Sequence, residues 1–135
     1  MRTVAVLIAL LALAAPAGAA SSSRPPVTKL KVAGFGWVLA RIDRQALYYW
    51  QVEKRAGGRI KCTGSCAALW PPLLVKSKAA VPARLAGIKG TFGVVRRPGG
   101  KLQVTYNSLP LYTYVHEGPG VVRCNNVDGW FVVRL

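Results

Sequence analysis

The stretch Cys62-Thr63-Gly64-Ser65-Cys66-Ala67-Ala68-Leu69-Trp70-Pro71-Pro72-Leu73-Leu74 holds two of the three cysteines of this chain, a tryptophan of the buried type and a double proline. Ser65 can cap a single helical turn over residues 66–70, and Pro71 would end that turn because proline cannot continue a helix. The stretch also divides two segments that look like copies of one another. It therefore predicts a short helical turn near residues 65–70 between two related halves.

Short strands and turns occupy both sides of this stretch. Residues 27–33 and 101–106 alternate apolar and polar side chains, which is the period of a half-buried strand. Residues 37–42 and 46–52 are expected to pair as a hairpin around the polar turn 43–45. Further strands are predicted at 91–97, 109–115 and 129–134, and residues 73–75 form a short apolar segment. Nothing favours a helix longer than about two turns, so the predicted class is all-β: a small single-domain sandwich or barrel-like sheet with Trp70 and Trp130 inside.

The two halves share the pattern Leu-Tyr-x-aromatic-x-x-Glu. It occurs at residues 47–53 and again at 111–117, and each copy is followed by a glycine-bearing loop and a cysteine. Two copies of one unit explain this, since each unit alone could not bury its apolar face. The predicted repeats span about residues 34–75 and 90–134. The motif residues are Tyr48, Trp50, Glu53, Tyr112, Tyr114 and Glu117.

These motifs resemble the bacterial secreted-repeat family, often labelled lipoproteins, which carries a Tyr-x-(Phe/Trp/Tyr)-x-x-Asp motif. The other matching segments are 62–66, 70–74, 103–107, 110–112 and 129–133, so the resemblance covers nearly all of residues 34–134. The family is of unknown function, and the resemblance therefore implies a fold class rather than a chemistry. Two features depart from the family: the motif's Asp is Glu in both copies, and no lipobox cysteine is present. The chain is therefore expected to be soluble or peripherally held.

The first residues are typical of an export signal. Arg2 precedes an apolar run at residues 4–15, and Ala17-Gly18-Ala19 resembles a cleavage site. About a dozen apolar residues fall short of the ~20 that span a bilayer, so no transmembrane segment is expected after cleavage. We predict a signal peptide at residues 1–19, a flexible leader at 20–26 and one β domain at 27–135, secreted or extracytoplasmic, with cleavage after Ala19 or Ala20.

Three cysteines in an oxidising compartment allow one disulfide and leave one thiol. The residues alone leave the pairing open, because a bridge from Cys62 or Cys66 to Cys124 would close about 60 residues and stabilise by ~4 kcal/mol, against ~2 kcal/mol for the short loop. The family resemblance implies the Cys62–Cys66 bridge, since Cys-Thr-Gly-x-Cys resembles a self-contained element of that family. Cys124 would then be a spare thiol.

Two sets of residues could form a chemical site. Cys62, Cys66, Cys124 and His116 would supply the Cys₃His set that zinc accepts, but a lone histidine beside an aromatic strand is usually no ligand, so no cofactor is expected. Glu53 and Glu117 could face each other as general acid and base. The simpler expectation is that each carboxylate ties down its own following loop, through backbone N–H groups or the neighbouring Lys54 or Arg123. No catalytic constellation remains, and the chain is not expected to be an enzyme.

The charge of the chain points to its partners. Nineteen Lys and Arg stand against four Asp and Glu, and loss of Arg2 with the signal changes the formal charge from +15 to +14. Such a field attracts anionic cell-wall polymers or lipid head groups, whereas no nucleic-acid module is present. We predict an exported, non-enzymatic envelope or extracellular binding or structural module. The alternative is an extracytoplasmic redox or metal-handling protein that uses Cys62, Cys66, Cys124 and His116. The aromatic residues expected in the core are Trp37, Tyr48, Trp50, Tyr106, Tyr112, Tyr114 and Trp130.

Overall fold

The computed structural model describes residues 24–135 and two isolated positions, Ala15 and Gly18. The rest of the predicted signal peptide and residues 20–23 of the predicted leader lie outside the described residues. The last leader residue, Pro26, already accepts a backbone hydrogen bond from Ile42. Among the described residues, no helix has the length and apolarity that crossing a membrane requires.

The chain is all-β, as the sequence predicts. Its strands are β1 Val27–Val32, β2 Gly36–Arg41, β3 Tyr48–Trp50, β4 Leu74–Val75, β5 Phe92–Arg96, β6 Leu102–Tyr106, β7 Leu109–Pro110 and β8 Trp130–Val132. Its helices are α1 Gln51–Arg55 and α2 Ser65–Leu69, and a 3₁₀ turn covers Lys78–Ala80. The pairs β1–β2 and β3–β8 are antiparallel, and β4, β5 and β7 all pair with β6. Within residues 24–135 these sheets do not close into a barrel.

A central layer of strands separates two apolar cores. Leu47 and Leu111 belong to one core, whereas the next residues, Tyr48 and Tyr112, belong to the other. Successive side chains of a strand point to opposite faces, so a strand with a core on each side is apolar at consecutive positions. The run Val38-Leu39-Ala40 in β2 is fully buried for this reason.

A closed set of three backbone hydrogen bonds joins the central layer on one side. Leu39 N donates to Val133 O at 2.8 Å, Val133 N donates to Leu47 O at 2.9 Å, and Leu47 N donates to Leu39 O at 2.9 Å. Two of these residues come from the first half of the chain and one from the end of the second. The end of the second half therefore packs between two segments of the first half.

A second closed set has the same form. Val104 N donates to Leu73 O at 2.8 Å, Leu73 N donates to Leu111 O at 2.9 Å, and Leu111 N donates to Val104 O at 3.0 Å. Here Leu73 is the residue contributed by the other half. Leu73 and Val133 each lie three residues after a buried tryptophan, at the end of their halves.

The strand predicted at residues 46–52 ends earlier than expected. β3 pairs with the three residues of β8 and through Tyr48 with Tyr112, and one further hydrogen bond joins Gln51 N to Gly129 O. Beyond that point the backbone has no strand partner, so its polar groups are satisfied within α1. The strand predicted at 109–115 is likewise reduced to β7 and an isolated bridge at Tyr112.

The predicted hairpin between residues 37–42 and 46–52 is only partly present. The turn exists, because Arg41 N donates to Gln45 O. However, the main partner of β2 is β1, and β3 pairs with β8. After Ala46 the segment leaves the sheet of β1 and β2. It continues as β3, which pairs with β8 near the end of the chain.

The helical turn predicted near residues 65–70 is present as α2. Ser65 does not cap it: Gly64 occupies the N-cap position with φ +57°, and no side chain caps the helix. Glycine adopts this left-handed conformation at little cost, which explains why the turn begins there. Trp70 and Pro71 end the helix as predicted.

Candidate functional site

The two motif tyrosines lie side by side at the centre of the molecule. Tyr48 N donates to Tyr112 O at 2.8 Å, and Tyr112 N donates to Tyr48 O at 3.0 Å. Both side chains are fully buried. The pair therefore forms the point at which the two halves of the chain meet.

Each tyrosine binds the carboxylate of the other motif. The Tyr48 hydroxyl donates to Glu117 Oε2 at 2.7 Å, and the Tyr112 hydroxyl donates to Glu53 Oε1 at 2.7 Å. Both carboxylates are buried, with exposed fractions of 0% for Glu53 and 6% for Glu117. The motif is thus completed across the two halves and not within either one.

Both carboxylates also hold the loop that follows them. Glu53 Oε1 accepts the backbone N–H groups of Lys61 at 2.9 Å and Cys62 at 3.0 Å. Glu117 Oε2 accepts the backbone N–H of Arg123 at 2.8 Å. No ion pair forms to Lys54 or to the Arg123 side chain within residues 24–135, where the salt bridge found is Arg41 with Asp43.

A buried arginine distinguishes the two carboxylates. Arg97 Nη1 donates to Gln103 Oε1 at 2.7 Å and to the Tyr112 hydroxyl at 3.3 Å, and Arg97 Nη2 donates to Cys62 O at 2.7 Å. This guanidinium therefore joins the network around Glu53. The equivalent network around Glu117 contains no hydrogen-bonded cation among the described residues.

Burial affects the ionisation of the second network. It raises the pKa of Glu117 above its ordinary value, although hydrogen bonds from Tyr48 and Arg123 oppose that change. The pKa values of Tyr48 and Tyr112 are also raised, first by burial and then by the adjacent carboxylates. Both tyrosines therefore remain protonated donors throughout the physiological range.

The tyrosines and carboxylates of the motif are buried. Tyr48, Glu53, Tyr112 and Glu117 are each less than 9% exposed, and they do not line the five surface depressions described for residues 24–135. One oxygen of each carboxylate, Glu53 Oε2 and Glu117 Oε1, is buried without a partner among the described residues. A general acid and base need contact with a substrate, so this arrangement indicates a structural role.

The motif aromatics Trp50 and Tyr114 lie at the two ends of a stack of rings. Trp70 and Trp130 stack at its centre with ring centroids 4.0 Å apart and planes 9° apart. Trp50 contacts Trp130 at 5.3 Å, and Tyr114 contacts Trp70 at 4.8 Å. These four residues pack as the core aromatics that the sequence predicts.

A disulfide joins Cys62 and Cys66, with an S–S distance of 2.05 Å and a Cα–Cα distance of 5.2 Å. Cys124 is a free thiol and is half-buried. The residue four before Trp70 is Cys66, whereas the residue four before Trp130 is Asn126, so the second half lacks the partner cysteine. Burial raises the pKa of the Cys124 thiol, which disfavours the reactive thiolate.

The four candidate metal ligands do not come together. Cys62 and Cys66 are bonded to each other, and His116 is exposed, with its ring against Tyr114 at 5.6 Å. Within residues 24–135, no three His, Cys, Asp or Glu side chains are grouped so that they could hold a metal ion. This geometry offers no Cys₃His centre.

Trp37 is the aromatic residue that departs from the core prediction. Its side chain is 45% exposed, and Lys29 Nζ lies 4.9 Å from its ring centroid, with Lys31 Nζ at 6.0 Å. Trp37 stands opposite Lys31 on the pair β1–β2. The sequence offers a signal for this exposure, because two lysines alternate along the strand opposite it.

Two depressions on the described surface share part of their lining. The first has a volume of about 410 Å³ and is lined by Tyr49, Lys54, Asn107, Asn125, Phe131 and others; the second, of about 300 Å³, is lined by Lys29, Trp37 and Lys89 among others. Tyr106 and Arg134 line both. We call the two together the Arg134 groove. No acidic side chain lines it.

The acidic residues neutralise little of the positive surface charge. Glu53 and Glu117 are buried, and Asp43 is bound to Arg41 with a shortest distance of 2.5 Å. Asp128 is exposed. The outer surface of residues 24–135 is therefore more uniformly positive than the composition alone indicates.

Comparison with protein-family models, with curated proteins and with solved structures gives no match for this chain.

Proposed function

We propose that this protein is an exported, non-enzymatic binding module that associates with anionic components of the cell envelope through its basic surface. The observation that carries this proposal is the placement of the four acids. Two are buried, a third is paired with Arg41, and Asp128 alone of the four is exposed and outside any salt bridge of the described residues. A surface of this kind produces an attractive field for polyanions.

The proposal of export is supported by the N-terminal sequence pattern and is compatible with the disulfide. Disulfides persist outside the cytosol, where thiols are not kept reduced. The Cys62–Cys66 bond is formed within one chain and lies against the buried network of Glu53. It therefore acts as a staple of the scaffold in this proposal, and redox chemistry is not required of it.

We further propose that the scaffold arose as two copies of one unit that exchange their last strands. The two closed sets of backbone hydrogen bonds support this, as do the reciprocal bonds from Tyr48 to Glu117 and from Tyr112 to Glu53. The resemblance to the secreted-repeat family agrees with this interpretation. In it the shared motif serves the fold, and binding is left to surface residues that differ between the copies.

The test is retention of the secreted protein on immobilised envelope material from its host, on polygalacturonate and on vesicles with or without anionic lipid. We expect retention on at least one anionic material, with a steep loss as the salt rises from about 0.05 M to about 0.5 M, because screening weakens surface attraction. Neutral dextran and neutral vesicles serve as controls. Equal retention on neutral material, or retention that salt does not weaken, would overturn the proposal.

A further inference from the structure

We propose that the Arg134 groove binds a short segment of an acidic polysaccharide. The sugar rings pack on Trp37 and on the face formed by Tyr49 and Phe131, and the sugar carboxylates pair with the cations that line the groove. This inference rests on the proposed association with anionic envelope material and adds to it a site and a class of ligand.

The shape and the lining of the groove suit such a ligand. Its two parts have volumes of about 410 and 300 Å³, each large enough for part of a small ligand. Tyr49 and Phe131 form one stacked face, with ring centroids 5.8 Å apart and planes 22° apart. Trp37 provides a second ring in the adjoining part. The site therefore offers flat apolar faces to rings that follow one another along a chain.

The cations stand beside these rings. Lys54 Nζ lies 5.4 Å from the Tyr49 ring centroid, and Lys29 Nζ lies 4.9 Å from that of Trp37. Lys89 lines the same part as Lys29. Arg134 lines both parts, but its guanidinium lies over Phe35 at 5.1 Å, so the lysines are the cations that face a ligand. A ligand with a carboxylate on each ring complements this spacing of ring and charge better than a neutral sugar does.

Two amide side chains in the groove are already oriented. Asn107 Oδ1 accepts the backbone N–H of Thr91 at 3.0 Å, and Asn125 Oδ1 accepts that of Val132 at 3.1 Å. Both oxygens are engaged by the protein, and no hydrogen bond from either amide nitrogen is found among residues 24–135. Sugar hydroxyls and ring oxygens are acceptors that suit these donors.

The scaffold itself does not require the aromatic face. In the central layer, Thr113 stands where Tyr49 stands, one residue after the motif tyrosine, and Pro71 stands where Phe131 stands, one residue after the stacked tryptophan. Thr113 is buried, with its hydroxyl on Pro71 O. The same backbone arrangement therefore forms with non-aromatic residues at these two positions, whereas Tyr49 packs against the core of Leu47 and Leu111 and also lines the groove.

A polysaccharide fits the observations better than a lipid surface does. Binding in the plane of a bilayer uses an amphipathic helix with a large apolar face, whereas α1 and α2 have five residues each. The apolar rings of the groove line a concave surface that a flat bilayer cannot fill. Single-stranded nucleic acid also stacks on rings in basic grooves, and the experiment treats it as a competing outcome.

The experiment measures binding of the galacturonic acid tetramer by tryptophan fluorescence and calorimetry. Trp37→Ala should weaken binding by about fivefold, since a stacked ring contributes on the order of 1 kcal/mol. Lys29→Gln with Lys89→Gln should weaken it by a similar factor. The matched control is Lys76→Gln with Lys101→Gln, which removes the same charge from a separate depression and should change binding by less than about twofold.

The side chains changed are exposed, so the variants are expected to retain the thermal midpoint of the wild type, and that midpoint is measured for each. Equal loss in both lysine pairs, or no loss in Trp37→Ala, would overturn the groove as the site while leaving general anion binding intact. Equal affinity for the neutral maltose tetramer would overturn the role of charge. Tighter binding of a single-stranded oligonucleotide of equal charge, or of anionic vesicles, would overturn the choice of ligand. Failure of the wild type to bind any polyanion would instead refute the proposed function itself.

Discussion

The two tyrosine–carboxylate networks share one motif but differ in their surroundings. Glu53 accepts three hydrogen bonds on one oxygen and lies in a network that contains Arg97. Glu117 accepts two, from Tyr48 and the Arg123 backbone, and burial raises its pKa. The comparison teaches that a repeated sequence can fix a geometry without fixing the electrostatics, because the compensating cation comes from outside the motif.

The largest expected difference is between the two carboxylate deletions. Glu53→Ala leaves two backbone N–H groups and the Tyr112 hydroxyl without their acceptor beside a buried guanidinium, and should cost about 3–5 kcal/mol of unfolding free energy. Glu117→Ala removes fewer bonds and no partner of a buried cation, and should cost about 2 kcal/mol. Urea unfolding of both variants measures the difference. Equal losses would show that the two networks are energetically alike.

The next comparison removes the cation. Arg97→Met leaves Cys62 O and Gln103 Oε1 without donors in a buried site, and we expect a loss of about 3 kcal/mol. The control is Arg123→Met at the second network. The Arg123 side chain is exposed, so this substitution should change the unfolding free energy by less than about 0.5 kcal/mol. Chemical denaturation monitored by tryptophan fluorescence gives both values. A stable Arg97→Met protein would contradict the asymmetry described above.

Double-mutant cycles test the exchange of partners between the motifs. Tyr48→Phe should couple to Glu117→Gln by about 1 kcal/mol, and Tyr112→Phe should couple similarly to Glu53→Gln. The cycles that pair each tyrosine with the glutamate of its own motif should show weaker coupling, of less than about 0.5 kcal/mol. Stronger coupling within each motif would disprove the crossed arrangement.

The smallest effect is a pH dependence specific to the second network. The pKa of Glu117 is raised in the folded state, so the folded protein binds its proton more readily than the unfolded chain does. Stability from this group is therefore greatest below the ordinary carboxyl pKa of 4.5, and it is lost as the pH rises through the raised value. Glu117→Gln keeps a hydrogen-bond acceptor without the charge. Its unfolding free energy should therefore rise relative to that of the wild type between pH 4.5 and 7.

The measurement is the difference in urea midpoint between wild type and Glu117→Gln across that range. Other titrating groups cancel in the difference. If the wild type instead gained stability over the variant with rising pH, the carboxylate would be stabilised in its charged form and the assigned direction of the pKa change would be wrong.

Much of the fold follows from local patterns. The alternation in β1 and β6, the turn glycines and the double proline after Trp70 predict the strands and the short helix near their observed places. Such patterns depend on neighbours within a few residues, and those interactions are legible in the sequence. The ends of β3 and β7 are harder to predict from the sequence. A strand ends where its partner ends, and these partners come from distant segments.

Arg97 shows where sequence reasoning stops. It ends the strand predicted at 91–97 and, from the sequence, is expected to belong to the solvated basic surface, yet it is 9% exposed and bonds to Cys62, 35 residues earlier. No local signal distinguishes it from the exposed Arg96 beside it. Trp37 is the opposite case: the sequence predicts a core aromatic, but its side chain is 45% exposed and lies against Lys29 and Lys31.

The sequence by itself determines the all-β class, the repeated tyrosine–glutamate motif, the candidate disulfide cysteines and the large positive charge, since each depends on composition or short spacing. The tertiary structure alone decides that each tyrosine binds the other motif's carboxylate, across 69 and 59 residues. It also decides which acids are buried, and hence where the positive surface and the Arg134 groove lie. These outcomes depend on how the last strand of each half packs into the other, and contacts between such distant residues leave no local pattern.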